Sequence, residues 1–284
     1  MRQKPGETRP LSSAPPQTVE LDGPEPCVVI LHAGGFSGEC YQELAEALPF
    51  RSVAVDLPGH GRNERELPEV EILDWRIFAD SAARAIATIP GSKVVFGHSL
   101  GAASAILVAA DSGEDLLGLV LYEPVTVDPS DPRSIVEAGA LAARTLSRRA
   151  HFPSEQAAIA NFAAKPPISL FTQRSRDAYV RSCFRGGPRG VTLKLPPVTE
   201  ASMYRGGPFN QTIERLFELD LPILFMGGEA SDSFGKGHVE RLAGKYPAGS
   251  VVTFPGLSHF GPMEQPSEVA GAVATYVADL ARSS

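Results

Sequence analysis

The chain has 284 residues, 43% of them hydrophobic, and a formal net charge of −7. Such an apolar fraction supplies one sizeable core and excludes a disordered chain, while the acidic balance argues against nucleic acid as a partner. Cys27, Cys40 and Cys183 stand at no metal-ligand spacing and fit a reducing cytoplasm better than a disulfide framework, and no apolar run approaches the length of a membrane span.

Residues 1–16 carry charge and proline without an apolar segment, so they read as a flexible tail and not as a secretory signal. From residue 17 strand and helix patterns alternate, which predicts an α/β fold with a mostly parallel sheet. CVVILH (27–32) is a buried strand running into glycines, followed by a helix near 38–48. RSVAVDLPGHG (51–61) is strand then turn, and 74–89 is a helix with Phe78, Ala82, Ala85, Ile86 and Ile89 at helical spacing. SKVVFG (92–97) is a strand, LGAASAILVAA (100–110) an apolar helix, and LLGLVLYEP (116–124) a strand again. The alternation then stops. Residues 128–218 show helix starts at Asp131, Ser154 and Ser175, separated by the loops RGGPRG (185–190) and YRGGPF (204–209). This block predicts an inserted helical cap, with 17–127 and 219–284 forming the core domain. The core pattern resumes with LPILFMGG (221–228), a helix near 235–246, the strand SVVTFPG (250–256) and a final helix from about Ser267.

Gly97-His98-Ser99-Leu100-Gly101 has the form G-x-S-x-G, between an apolar strand and an apolar helix. A serine on so sharp a turn sits in a strained backbone conformation, and small residues two places either side keep strand and helix from clashing. The turn lifts the hydroxyl clear of the sheet and aims a helix N-terminus at the reacting centre. Ser99 is the candidate nucleophile.

HAGGF (32–36), DLPGHGR (56–62), GHSLG (97–101) and GLSHFGPMEQP (256–266), in this order and spacing, resemble the α/β-hydrolase family across about residues 18–125 and 219–282. The family order is serine, acid, histidine. The resemblance makes His259, after the last strand, the catalytic base. It leaves two carboxylates for the acid. The commoner arrangement places it in the turn after the penultimate strand, here Gly228-Glu229-Ala230-Ser231-Asp232, where the usual position is Ser231 and Asp232 comes one residue late. Some branches place it after the strand that follows the elbow helix, here Glu123. A carboxylate ending an apolar strand is costly to bury without a partner, so Glu123 is favoured and Asp232 is the alternative. The HAGGF loop resembles the family's H-G-x-x loop, with Ala33 for the first glycine. It implies an oxyanion hole from the amides of Gly34 and Leu100, with Gly35 or Phe36 as the loop donor if the turn is shifted. His32 reads as a brace for that loop, and the DLPGHGR turn as structural.

The resemblance implies a two-step reaction through a Ser99 acyl-enzyme on an ester, lactone, thioester or activated C–C bond of a small molecule, with no metal or organic cofactor. Residues 128–218 carry 13 Lys and Arg against 8 Asp and Glu, the remainder 13 against 25. A basic cap of this kind would draw an anionic acyl substrate. The alternatives on the same scaffold are a non-hydrolytic cyclase or lyase and a small-molecule binding protein without turnover.

Overall fold

The computed structural model describes residues 17–64, 67–111, 116–127 and 130–283. The expected tail, 1–16, and the expected start of the insertion at Asp128 lie outside them. The first half of the core runs β1 (Gln17–Leu21), β2 (Cys27–Leu31), α1 (Gln42–Ala47), β3 (Ser52–Val55), α2 (Arg76–Thr88), β4 (Lys93–His98), α3 (Leu100–Asp111) and β5 (Leu116–Tyr122). Next come α4 (Pro132–Leu146), β6 (His151–Phe152), α5 (Glu155–Ala163), α6 (Gln173–Cys183), β7 (Phe184–Gly187), β8 (Gly190–Leu193), α7 (Pro197–Gly206) and α8 (Thr212–Leu216). The core closes with β9 (Ile223–Gly228), α9 (His238–Ala243), β10 (Gly249–Phe254), α10 (Gly261–Glu264) and α11 (Pro266–Ser283).

Seven strands form one sheet in the order β1-β3-β2-β4-β5-β9-β10. β1 is antiparallel to β3, and the other neighbours pair in parallel. Parallel strands need crossover helices, which cover both faces, so β2, β3 and β4 are buried at every residue and read as continuous apolar runs. One face packs Val28, Ile30, Phe96 and Val120 against α1 and α11. The other packs Val29, Leu31, Val95 and Leu121 against α2 and α3. α3 is apolar on all sides because Leu100 to Val108 are all buried. No helix among the described residues is long and apolar enough to cross a membrane.

The block between β5 and β9 is helical at its start, as its caps predict. The Asp131 carboxylate accepts from Arg133 N–H and the Ser154 hydroxyl from Ala157 N–H, at 3.0 and 3.1 Å. The third helix begins earlier than expected. Thr172 is its cap, accepting from Ser175 N–H at 3.0 Å, and Ser175 is instead buried with its hydroxyl on Glu43 at 3.0 Å. This block also holds a three-stranded antiparallel sheet, β6-β8-β7. Most of RGGPRG, expected to be loop, lies in the β7–β8 hairpin, where Gly187 pairs with Gly190. Glycine-rich strands lack the apolar alternation that marks a strand in sequence.

Candidate active site

β4 ends at His98 and α3 begins at Leu100, so a single residue, Ser99, makes the turn, at φ 55°. Left-handed backbone at a non-glycine residue is strained. Two bonds hold it: Ser99 N–H donates to the Tyr122 carbonyl, and its own carbonyl accepts from Ala103 N–H, each at 3.0 Å. The flanking glycines have a steric cause. A methyl group on Gly97 would lie 2.5 Å from Ala102 Cα, and one on Gly101 would fall on the Leu31 carbonyl.

His259 lies between β10 and α10. Its loop is fixed by Ser258 N–H donating to Glu264 Oε2 (3.0 Å), Phe260 N–H donating to Ser258 Oγ (3.1 Å) and Tyr122 O–H donating to the Ser258 carbonyl (2.9 Å). The His259 ring stands 4.8 Å from the ring of His98, the neighbour of Ser99. Its Nδ1 donates to Glu123 Oε2 at 2.6 Å. Glu123 follows β5 at φ 42° and is 4% exposed. Its carboxylate also accepts from Gly228 N–H at 3.0 Å and from the Ser231 hydroxyl at 2.7 Å. Burial by itself raises the Glu123 carboxyl, but the bonds from His259, Ser231 and Gly228 outweigh it and hold its pKa below the usual value. The alternative, Asp232, is exposed on the loop after β9; the carboxylate at His259 Nδ1 is Glu123.

The HAGGF loop is braced by two buried imidazoles. Leu57 N–H donates to His32 Nε2 (2.9 Å), so Nδ1–H of His32 donates to the Ala33 carbonyl (2.8 Å). Gly35 N–H donates to His60 Nε2 (3.0 Å), so Nδ1–H of His60 donates to the Pro58 carbonyl (2.8 Å). Each ring therefore needs one bare nitrogen. Burial enforces that neutrality, lowering His32 to about 4 and, with repulsion from His32, His60 to about 3. The DLPGHGR turn is tied by Asp56, whose carboxylate accepts from Gly38 and Arg62 amides at 2.8 and 2.7 Å.

These bonds account for most amides of the loop. Ala33 N–H donates to the Tyr41 hydroxyl (3.0 Å), Gly35 N–H to His60, and Phe36 N–H to the Ala33 carbonyl (3.2 Å). Gly34 N–H has no such acceptor among the described residues, and Leu100 N–H opens a helix, where amides lack an intrahelical acceptor. Tyr41, Tyr122 and His60 carry no local signal of a place here, because the bonds that set them reach 57, 136 and 25 residues along the chain to His98, Ser258 and Gly35; Ser231, singled out only as the usual position of the acid, instead donates to Glu123. The Ser258 hydroxyl also donates to Glu264 Oε1, six residues on in GLSHFGPMEQP.

Four basic residues of the block between β5 and β9 pair with carboxylates outside it. Arg174 pairs with Glu46 (2.9 Å), Arg185 and Lys194 with Glu64 (3.5 and 3.4 Å), and Arg215 with Asp111. Arg148 pairs inside the block with Glu200 at 2.6 Å. A cavity of about 370 Å³ lies beside Glu123, lined also by Ser231, Phe234, His238 and Thr253 among others. Among the described residues no group of three or more His, Cys, Asp or Glu could hold a metal ion.

A serine on a strained strand-to-helix turn, an imidazole on the loop after the last strand, and a mostly parallel sheet beneath them define the α/β-hydrolase class. The chain belongs to the alpha/beta hydrolase family, whose profile matches residues 28–272. Human monoglyceride lipase is 30% identical over 132 residues, which is 44% of this chain and 42% of that protein. Lipase LipV of Mycobacterium tuberculosis is 35% identical over 116 residues, 39% of this chain and 42% of that protein. The matches thus span about two-fifths of the length of these relatives. Among solved structures, E-2-(acetamidomethylene)succinate hydrolase superposes with a TM-score of 0.74 at 22% identity, covering 91% of this chain and 93% of its own. A thioesterase domain from the curacin biosynthetic pathway gives 0.71 at 21% identity, covering 92% and 93%. At these identities the likeness is one of fold.

Proposed function

We propose that this protein hydrolyses an ester, lactone or thioester of a small molecule through an acyl-enzyme on Ser99. The observation that carries this reading is the bond of 2.6 Å from His259 Nδ1 to Glu123, which fixes the tautomer with Nε2 free to take a proton. The relatives are a lipase and a monoglyceride lipase, which supports ester chemistry.

In this reading His259 Nε2 removes the Ser99 proton as Oγ attacks the carbonyl carbon. Glu123 keeps Nδ1 protonated and stabilises the imidazolium that forms. The Gly34 and Leu100 amides hold the oxyanion, preorganised and without competing acceptors in the protein. The tetrahedral intermediate collapses, the leaving alcohol or thiol takes the proton from His259, and water activated by the same ring releases the acid. Residues 128–218 act as the lid over a core of 17–127 and 219–284. Four of the thirteen basic residues of this block, Arg174, Arg185, Lys194 and Arg215, pair with core carboxylates and help to seat the lid.

A fluorophosphonate probe tests the reading. One equivalent should attach at Ser99, located by peptide mass spectrometry, and Ser99→Ala should abolish both attachment and p-nitrophenyl acetate hydrolysis. Labelling that persists in Ser99→Ala would overturn it.

A further inference from the structure

α7 crosses above the HAGGF loop and covers two consecutive glycines. Met203 Cε lies 2.6 Å from where a methyl on Gly34 would stand, and Leu100 Cδ2 lies 3.6 Å from the same point. One turn earlier Glu200 Oε1 lies 2.8 Å from the equivalent point on Gly35. The Met203 thioether therefore lies against Gly34, whose amide is assigned to the oxyanion, the Leu100 side chain borders the same point, and Met203 is 1% exposed.

The backbone beneath that side chain is fixed from two directions. On the core side, Trp75 Nε1–H donates to the Met203 carbonyl at 2.9 Å and Leu73 N–H to the Ser202 carbonyl at 3.0 Å. On the lid side, Arg148 donates to both Glu200 oxygens at 2.8 and 2.6 Å and to the Tyr179 hydroxyl at 2.7 Å. With the helix held, the element able to give way is the methionine itself, an unbranched chain with three rotatable bonds and a soft sulfur.

We propose that Met203 is the residue that sets acyl specificity. Its Sδ–CH₃ end occupies the space beside Gly34 that the acyl chain enters, and the chain length accepted is the room left when it swings aside. This rests on the assignment of Ser99 as nucleophile. An extra methylene in an apolar pocket changes discrimination by roughly 10- to 200-fold, so one side chain at this place suffices to set a preference.

The test compares kcat/KM for p-nitrophenyl acetate, butyrate and octanoate in the full chain and in Met203→Ala, Met203→Leu and Met203→Phe. The octanoate-to-acetate ratio should rise about tenfold in Met203→Ala, stay within about threefold in Met203→Leu, whose volume is similar, and fall about tenfold in Met203→Phe. A ratio that stays within about twofold in both the Ala and Phe variants, with Ser99 still labelled by the probe, would overturn the proposal and leave the nucleophile standing. Should Ser99 go unlabelled, binding of linear carboxylates from acetate to octanoate decides independently. It is followed by the fluorescence of Trp75, the only tryptophan, bonded to Met203. Octanoate affinity relative to acetate should rise about tenfold in Met203→Ala, and an unchanged ratio overturns the proposal on that arm.

Discussion

The Ser231 hydroxyl donates to Glu123 Oε2 at 2.7 Å, the same oxygen that accepts from His259. Ser231 stands where the commoner family arrangement carries its acid, so a donor here supports a carboxylate supplied by the neighbouring strand. Glu123→Gln should lower kcat for p-nitrophenyl acetate about 10³- to 10⁴-fold, because an amide permits the wrong imidazole tautomer. Asp232→Asn should stay within about twofold, as a solvated charge outside that network, and Ser231→Ala should lose less than the Glu123 variant. A collapse of turnover in Asp232→Asn alone would reverse the assignment.

Acid should destabilise the protein in two windows. His32, His60 and His98 are all buried, and burial first of all lowers the pKa of each, reinforced at His98 by repulsion from His259. Between these lowered values and the ordinary 6.5 the unfolded chain binds protons that the folded chain does not. The stability they contribute is complete above 6.5 and is lost as pH falls, with a slope approaching about 1.4 kcal/mol per pH unit for each ring. Glu123 acts lower: its depressed pKa gives stability present above the ordinary 4.5 and lost as pH falls through the folded value. Urea unfolding at pH 5, 6, 7 and 8 checks the first window, and a constant free energy from 7 to 5 contradicts it.

Two glycine-to-alanine changes in helices should have opposite signs. Gly271, in α11, is exposed with nothing within 4 Å of an added methyl, so Gly271→Ala should stabilise by about 0.5–1 kcal/mol and raise Tm by roughly 1–2 °C. Gly101, in α3, sits against the Leu31 carbonyl. There the gain in helix propensity is overridden by a backbone clash, and Gly101→Ala should cost more than about 4 kcal/mol or prevent folding. Calorimetry on both proteins separates the cases.

Arg148 and Glu200 form the ion pair that holds α7, with side chains 27% and 3% exposed. Removing the cation leaves a carboxylate with little access to water and the Tyr204 hydroxyl as its remaining side-chain donor, whereas removing the carboxylate leaves a guanidinium that reaches solvent and Tyr179. Arg148→Ala should therefore cost roughly 3 kcal/mol, more than Glu200→Gln, and the double change Arg148→Met/Glu200→Leu should recover part of the loss. Urea midpoints for the three proteins give the comparison, and equal losses in the two single variants would contradict it.

The amino-acid sequence by itself determined the class of this protein. Nearly continuous apolar strands at 27–31, 52–55 and 93–98, polar only at the end residues Ser52, Lys93 and His98, demand burial on both faces, and hence a parallel sheet between helices. The glycines around Ser99 and the placement of His259 after the last strand are equally local signals. Tertiary packing decided between Glu123 and Asp232 at the imidazole, left the Gly34 N–H without an acceptor among the described residues, paired Arg185 with Glu64, and set Met203 over Gly34. Each depends on a partner remote in the chain, such as Gly228 for Glu123, His60 for Gly35 and Glu64 for Arg185. Local pattern records propensity and period, but a hydrogen bond or a close approach across the fold exists only once the chain has brought its two ends together.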